Sequence, residues 1–166
     1  MNLPELVKAL SIQKMALDLH AGLDLCATLI EKTAKDEIGH YQGESGPFPS
    51  WAPLADSTMR EKERLGYTGR FSTDDPLYRT GEMQQSIEHQ TGELEAVIGT
   101  NSPIAPYHEF GTDKMPPRPF IGPALVHNKE NIERIIGGFA ASALVPELAG
   151  EGWKRDIQEV MTDGRL

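Results

Sequence analysis

Nine of the twelve prolines of this 166-residue chain fall into two short segments, residues 43–55 and 103–123. Proline fixes φ and lacks a backbone N–H, so it interrupts helices and is excluded from central strands. Neither segment can therefore form a long regular element. We predict an ordered loop at 43–55, and long elements only outside both segments.

The N-terminal part of the chain has a helical pattern. From Leu3 to Ile38 the apolar residues recur at steps of three or four, which is typical of one face of an amphipathic helix. Pro4 suits the first turn of such a helix, where its missing N–H has no partner to lose, and Gly39 suits its C-terminal end, where a left-handed residue is common. The sequence predicts one long helix here, or two helices with a break.

Shorter elements are predicted between the two proline-rich segments. Asp56 or Ser57 can cap a charged helix that ends at Gly66, and a second loop runs from Tyr67 to Leu77. Thr80 can cap a helical turn over 81–85. The segments 86–90 and 93–98 then resemble two strands, in which Leu94, Ala96 and Ile98 alternate with polar or exposed positions.

Helical spacing resumes after the second proline-rich segment, from Phe120 to Leu144, and Pro146 ends it. A C-terminal helical extension or a mobile tail is predicted over 147–166, from the four-residue spacing of Trp153, Ile157 and Met161. The predicted fold class is α+β: a small antiparallel sheet packed with a long N-terminal helix and a C-terminal helix, with long Pro/Gly-rich loops. We predict one domain over residues 1–146.

Composition narrows the function classes. The net charge of −9 disfavours DNA binding as the main activity, because such binding relies on basic side chains that displace counterions. Cys26 is the only cysteine, which excludes an intrachain disulfide and fits a reducing cytoplasm. Neither a signal peptide nor an apolar run of spanning length is apparent, so we expect a soluble protein.

Candidate catalytic groups lack the spacing that known chemistry requires. His108 and Glu109 adjoin each other, with Asp113 and His127 nearby, but no two histidines stand one helical turn apart as in zinc hydrolases. A solvated or interface histidine is the favoured interpretation of His108. We expect no catalytic residue, no metal and no cofactor, and we expect Cys26 to be a buried hydrophobic residue.

Pairs of acidic residues leave glycoside hydrolysis open as an alternative. Glu44 with Glu109, or Glu61 with Glu63, are candidate pairs, but the sequence does not show how far apart two carboxylates lie. Solvated acids are the simpler interpretation.

The proline-rich loops also carry aromatic residues. Prolines lower the entropic cost of ordering a loop and aromatic rings supply area to bury, which together suit a protein contact. Rings that cover the domain's own core are an equal alternative. The residues concerned are Phe48, Trp51, Tyr107, Phe110 and Phe120.

Four motifs in this order resemble the virion morphogenesis and tail-completion proteins of Mu-like phages and related neck-protein groups. The resemblance covers about half of the chain, from Trp51 to Ile136. The motifs are Trp51–Ala55 with Ser57, Thr58 and Lys62, Leu77–Met83 with Ser86 and Ile87, Ala105–Thr112, and Met115–Leu125. The long loop between Leu65 and Leu77 and the tail after Pro146 depart from the shorter members.

The resemblance implies a non-enzymatic structural protein of a tailed phage or prophage, with an α+β fold. Such a protein would form a ring of six copies at the head–tail junction or the tail end, beside connector or tail tube proteins. It would assemble in the host cytoplasm and remain in the virion, without contact to a membrane. DNA would pass through without specific binding, because a negative lumen repels phosphates.

Specific residues carry these expectations. The expected interface residues are Trp51, Pro53, Leu54, Tyr107, Glu109, Phe110, Arg118 and Phe120, with Arg118 held outward on a stiff segment so that it pairs with a neighbour's carboxylate. The expected structural residues are Thr80, Gly81, Ser86, Gly111 and Pro119. A tail-associated hydrolase and a cytoplasmic binding module unrelated to phage are the alternatives.

Overall fold

The computed structural model describes residues 3–144, Arg155 and Gln158. Between residues 3 and 144 six helices and two strands follow one another along the chain. The helices are α1 (Leu3–Glu37), α2 (Asp56–Arg64), α3 (Glu82–Gln85), α4 (Ala105–Phe110), α5 (Ile121–His127) and α6 (Lys129–Leu144), and the strands are β1 (Ile87–Thr91) and β2 (Ala96–Thr100). The strands pair as a two-stranded antiparallel sheet, so the predicted α+β fold class is confirmed.

The chain divides into two compact units. The first contains residues 1–29, 90–97 and 128–166, and the second contains residues 30–89 and 98–127. The prediction of a single domain over 1–146 stays a prediction. The predicted extension over 147–166, with Trp153, Ile157 and Met161, lies outside the described residues apart from Arg155 and Gln158, which are helical.

Helix α1 is a single helix of 35 residues, and its apolar spacing explains which side is covered. In the first unit, Cys26 and Leu29 are buried against Ile135 of α6, and further apolar side chains surround these three. In the second unit, Ala34 and Ile38 are fully buried. Gly39 ends the helix in a left-handed conformation with φ of 99° and donates its N–H to the Pro76 carbonyl.

The sheet follows the period of two that strands impose. Ile87 is fully buried, and His89 and Thr91 on the same face are partly covered, whereas the residues between them are exposed. His89 and Glu31 of α1 form a hydrogen-bonded pair within the second unit. Thr91 donates to Asp24 of α1 at 3.0 Å within the first unit.

Three predicted details of the elements are wrong. Neither Asp56 nor Ser57 caps α2, because Ala55 occupies the N-cap position and no side chain caps it. Leu94 lies in the turn before β2 and is 77% exposed, so it is not an inward strand residue. The C-terminal helix is interrupted at the fully buried Asn128, whose carbonyl accepts the Ile132 N–H at the start of α6.

Candidate functional site

Two of the four sequence motifs meet at a buried seam in the second unit. The indole Nε1 of Trp51 donates to the Pro119 carbonyl at 2.9 Å. The guanidinium of Arg118 donates to the Ala52 carbonyl from Nε at 3.1 Å and from Nη2 at 2.9 Å, and Nη2 also donates to Pro53 at 3.0 Å. Prolines leave these loops few backbone donors, so side chains take over the role of a sheet ladder.

A third motif joins the same seam through α4. The backbone N–H of Arg118 donates to the His108 carbonyl at 2.7 Å. The carboxylate of Glu109 accepts the N–H groups of Phe120 at 2.9 Å, Ile121 at 3.4 Å and Gly122 at 3.3 Å. These N–H groups at the start of α5 have no partner inside the helix, so Glu109 acts as its cap.

Gly111 makes the turn between α4 and the following loop. Its φ is 73°, and a Cβ there would lie 2.8 Å from the Pro117 nitrogen and 2.9 Å from the Met115 carbonyl oxygen. A side chain at this position is therefore excluded on both conformational and steric grounds. Gly111, one of the expected structural residues, therefore has a conformational role in this turn.

The motif around Thr80 is arranged differently from the prediction. Gly81, with φ of 84°, occupies the N-cap position of α3 without a side-chain cap. Thr80 Oγ1 accepts the Glu82 N–H at 3.4 Å, so its side chain bonds the first N–H of α3 from the position before the N-cap. Ser86 closes α3 by donating to the Met83 carbonyl at 2.8 Å, and its hydroxyl also bonds to Thr100 Oγ1 at 2.6 Å.

The eight expected interface residues fall into three groups: buried, partly covered and exposed. Trp51 and Phe120 are buried in the second unit, so these rings cover the chain's own core, which was the alternative interpretation. Arg118 is only 5% exposed, and the expectation that it is held outward is wrong because its guanidinium is folded back onto two backbone carbonyls. Glu109 and Leu54 are partly covered, while Pro53, Tyr107 and Phe110 are exposed.

An apolar stripe is exposed along α4. Ile104, Tyr107 and Phe110 follow one another at steps of three, which places them on one face of the helix, and they are 50%, 57% and 80% exposed. Apolar residues at this spacing usually face a core. Their exposure together on a short helix beside Pro103 and Pro106 marks this stripe, called the α4 stripe below, as a surface suited to a protein contact.

A groove of about 470 Å³ lies beside the α4 stripe in the second unit. Its wall is mostly apolar and includes Leu54, Tyr107 and Met115. Four cationic side chains and one carboxylate also line it, and we call it the cationic groove. The charged residues are Lys62, Arg79, Lys114, Arg118 and Asp75.

Two of these cations are buried and form no salt bridge with a carboxylate in the described part of the chain. Lys62 donates to the backbone carbonyl of Asp75 at 2.9 Å, and its burial lowers the pKa of the ammonium group. Arg118 makes no ion pair within the described chain, and its Nη1 group makes no hydrogen bond there. Burial, and then the charge of Arg118, lowers the pKa of His108, whose buried Nδ1 has no partner among described residues.

A buried acid lies elsewhere in the second unit. Glu37 Oε1 lies 2.9 Å from His127 Nδ1, whereas its Oε2 is buried without a hydrogen bond in the described chain. Burial, helped by the negative charge of Glu109, raises the pKa of Glu37 to about 8. Near neutral pH this group is therefore largely protonated and can donate a hydrogen bond.

The other candidate chemical groups have structural surroundings. His108 is partly buried rather than fully solvated, and the expectation that it is an interface histidine stays a prediction. Glu61 is half exposed and lies 3.7 Å from Arg79, while burial raises the pKa of Cys26 to about 11. Among the described residues, no cluster of three or more His, Cys, Asp or Glu has a metal-binding arrangement. No described helix combines the length and apolar character needed to cross a bilayer.

Sequence reasoning missed several residues of this site. Lys62 belongs to one of the four motifs, but the sequence does not predict its burial, because α2 is otherwise a highly charged helix. Glu37 did carry a signal, since it stands three residues after Ala34 and next to Ile38 on the side of α1 that becomes buried. A polar residue on a predicted core face indicates a buried hydrogen-bonded group.

Comparisons of the chain with models of protein families, with curated proteins and with solved structures each gave no match.

Proposed function

We propose that the chain is a non-enzymatic structural protein of a tailed phage or prophage. It acts at the head–tail junction or at the tail end, as one subunit of a six-membered ring beside connector or tail tube proteins. It assembles in the host cytoplasm and stays in the virion.

The observation that carries this proposal is the convergence of three of the four sequence motifs on one seam. The segment around Trp51 is distant in the chain from those around His108 and Arg118, and buried or partly buried hydrogen bonds join all three. These bonds hold the cationic groove and place it beside the exposed α4 stripe. A rigid, proline-stiffened surface with exposed apolar side chains suits a permanent contact between proteins.

The groove gives less support to the hydrolase alternative. Its one carboxylate, Asp75, accepts the backbone N–H groups of Arg70 at 2.8 Å and Phe71 at 2.6 Å, which fixes it as a loop-closing group. Glu109, one member of a candidate catalytic pair, caps α5. Glycoside hydrolysis uses a pair of carboxylates facing one space, and the groove lining offers a single one.

The negative net charge of the chain is consistent with a ring through which DNA passes. A net charge of −9 on each copy gives a ring a strongly negative total. If part of this charge lines the lumen, the duplex is repelled from the wall and slides without specific binding.

The location of the chain in particles tests the proposal. We expect a tagged copy, expressed from its own phage or prophage, to remain with gradient-purified particles, and gold-labelled antibody to mark the neck or the tail end. Purified particles that lack the chain while infection proceeds normally would contradict the proposal.

A further inference from the structure

The cationic groove has a charge that the rest of the described chain matches only in part. It is lined by four cations and one carboxylate in a chain whose net charge is −9. Two of the four cations are partly matched, because Glu61 lies 3.7 Å from Arg79 and the charges of Asp75 and Asp74 act on Lys62. Lys114 is exposed and has no ion pair in the described part, and the buried Arg118 keeps its Nη1 N–H groups free there. A buried guanidinium that has no carboxylate partner favours the binding of an anionic group.

The turn between β1 and β2 carries the complementary pattern. Residues 92–95, Gly-Glu-Leu-Glu, form this turn, which we call the hairpin tip, and the Gly92 N–H closes it onto the Glu95 carbonyl at 2.8 Å. Leu94 is 77% exposed, and Glu93 and Glu95 on either side of it are exposed. Neither carboxylate has an ion-pair partner among the described residues.

We propose that the hairpin tip of one copy docks in the cationic groove of a second copy. Leu94 enters the apolar part of the groove, against Leu54, Tyr107 and Met115, and a space of about 470 Å³ readily holds such a side chain. The carboxylates of Glu93 and Glu95 then face the cations of the wall. An apolar anchor in a pocket with complementary charges around it is the usual form of a specific contact.

This docking is directional and therefore deepens the proposed function, on which it rests. The tip and the groove are different surfaces, so each copy offers one of each to its neighbours. A contact between unlike surfaces propagates from copy to copy and closes as a ring when the rotation allows. A contact between two identical surfaces would stop at a dimer.

Charge reversal tests the proposal in the purified full chain. The tip variant is E93K/E95K and the groove variant is R79E/K114E, and all four side chains are exposed. The control, E44K/E88K, changes the net charge as the tip variant does, at two exposed acids outside the tip. Sedimentation velocity over a concentration series measures self-association, and circular dichroism verifies folding. Because Arg79 also stacks on Tyr67 at 5.2 Å, K114E alone serves as the groove variant if R79E unfolds.

We expect the wild-type chain and E44K/E88K to self-associate equally. The tip variant and the groove variant should each associate at least about tenfold more weakly, because like charges then face each other. An equimolar mixture of the two should assemble again, as should the chain that carries all four substitutions. Recovery in the mixture requires contacts between copies, and recovery in the fourfold variant requires the tip to meet the groove.

Three results would overturn the proposal: a monomeric wild-type chain at every concentration, single variants that associate like wild type, or a mixture and a fourfold variant that stay dissociated. The proposed function is tested separately. If the variants associate like wild type while the chain still marks the neck or tail end of particles, only the docking is wrong. If the chain is missing from particles, the proposed function is wrong whatever the variants do.

Discussion

The indole N–H of Trp51 donates a hydrogen bond to the carbonyl oxygen of Pro119, 68 residues further along the chain. Directly beside it, Arg118 donates to the Ala52 carbonyl. Two proline-rich loops, neither of which can form a strand, are thus held together by side-chain donors. The seam places Arg118 in the wall of the cationic groove, so folding and the proposed contact surface depend on the same residue.

Arg118→Ala should destabilise the chain by about 2–3 kcal/mol. The substitution removes three charge-assisted hydrogen bonds to the carbonyls of Ala52 and Pro53 and leaves a space in a buried seam. Lys114→Ala is the matched control, because Lys114 is an exposed cation on the same loop, and it should change stability by less than about 0.5 kcal/mol. Urea unfolding of both variants measures the difference. Equal stabilities would contradict a structural role for Arg118.

Two phenylalanines on either side of Gly111 should behave oppositely. Phe120 is fully buried, so Phe120→Ala should cost about 3–5 kcal/mol of unfolding free energy. Phe110 is 80% exposed, so Phe110→Ala should leave the melting temperature nearly unchanged while weakening assembly with partner proteins. Thermal unfolding and a pull-down from phage-producing cells separate the two effects. A large loss of stability in Phe110→Ala would mean that Phe110 is packed in the folded chain and that the α4 stripe is not an exposed contact surface.

Helix α1 and strand β1 could be predicted from the sequence because their patterns are local. Helix α1 follows from apolar residues at steps of three and four, and its end follows from Gly39, since only a short range of the chain decides both. The strand predicted at 86–90 lies within one residue of β1, whereas the strand predicted at 93–98 begins three residues before β2. The interruption at Asn128 has no local signal, since it depends on burial of that side chain.

For the site, the sequence predicts which segments take part but not how they pack against one another. The motifs around Trp51, His108 and Arg118 were recognised in order, but the sequence does not show that Arg118 turns inward to Ala52, which lies 66 residues away. The same limit explains Leu94, because a turn residue and an inward strand residue have the same local sequence pattern. Such features depend on contacts distant in the chain, which periodicity does not encode.

The stability of the chain should decrease as the pH rises towards 8. Burial raises the pKa of Glu37 to about 8 in the folded chain, against an ordinary value of 4.5. Between these two values the folded chain holds a proton that the unfolded chain has lost, so this group's contribution is complete below about pH 4.5 and is lost as the pH rises through about 8.

Glu37→Gln should remove this dependence, because the amide keeps the shape of the neutral carboxyl group and does not titrate. We expect the wild-type chain to lose about 2–3 kcal/mol more than the variant between pH 5.5 and 7.5. Urea unfolding of both proteins at the two pH values measures the difference. Parallel pH profiles would show that Glu37 is ionised in the folded chain.

Two helical glycines of the first unit form a matched pair. A Cβ at Gly22 in α1 would lie 2.9 Å from the ring of Phe139, whereas a Cβ at Gly137 in α6 would meet no atom within 4 Å. Gly137→Ala should therefore stabilise the chain by up to about 1 kcal/mol through helix propensity. Gly22→Ala should destabilise it by about 1–3 kcal/mol through the forced shift of Phe139. Equal effects in thermal unfolding would mean that α1 and Phe139 are not packed together.

The most direct test of the central claim is electron microscopy of particles made by the phage or prophage after its copy of this gene is disrupted. Joined virions, filled heads and free tails are counted, with and without a plasmid that restores the chain. The account predicts that heads and tails accumulate apart, or that tails have abnormal length, and that the plasmid reverses the defect. Normal numbers of joined virions that fail to infect or to lyse the host would contradict it and favour a tail-associated enzyme.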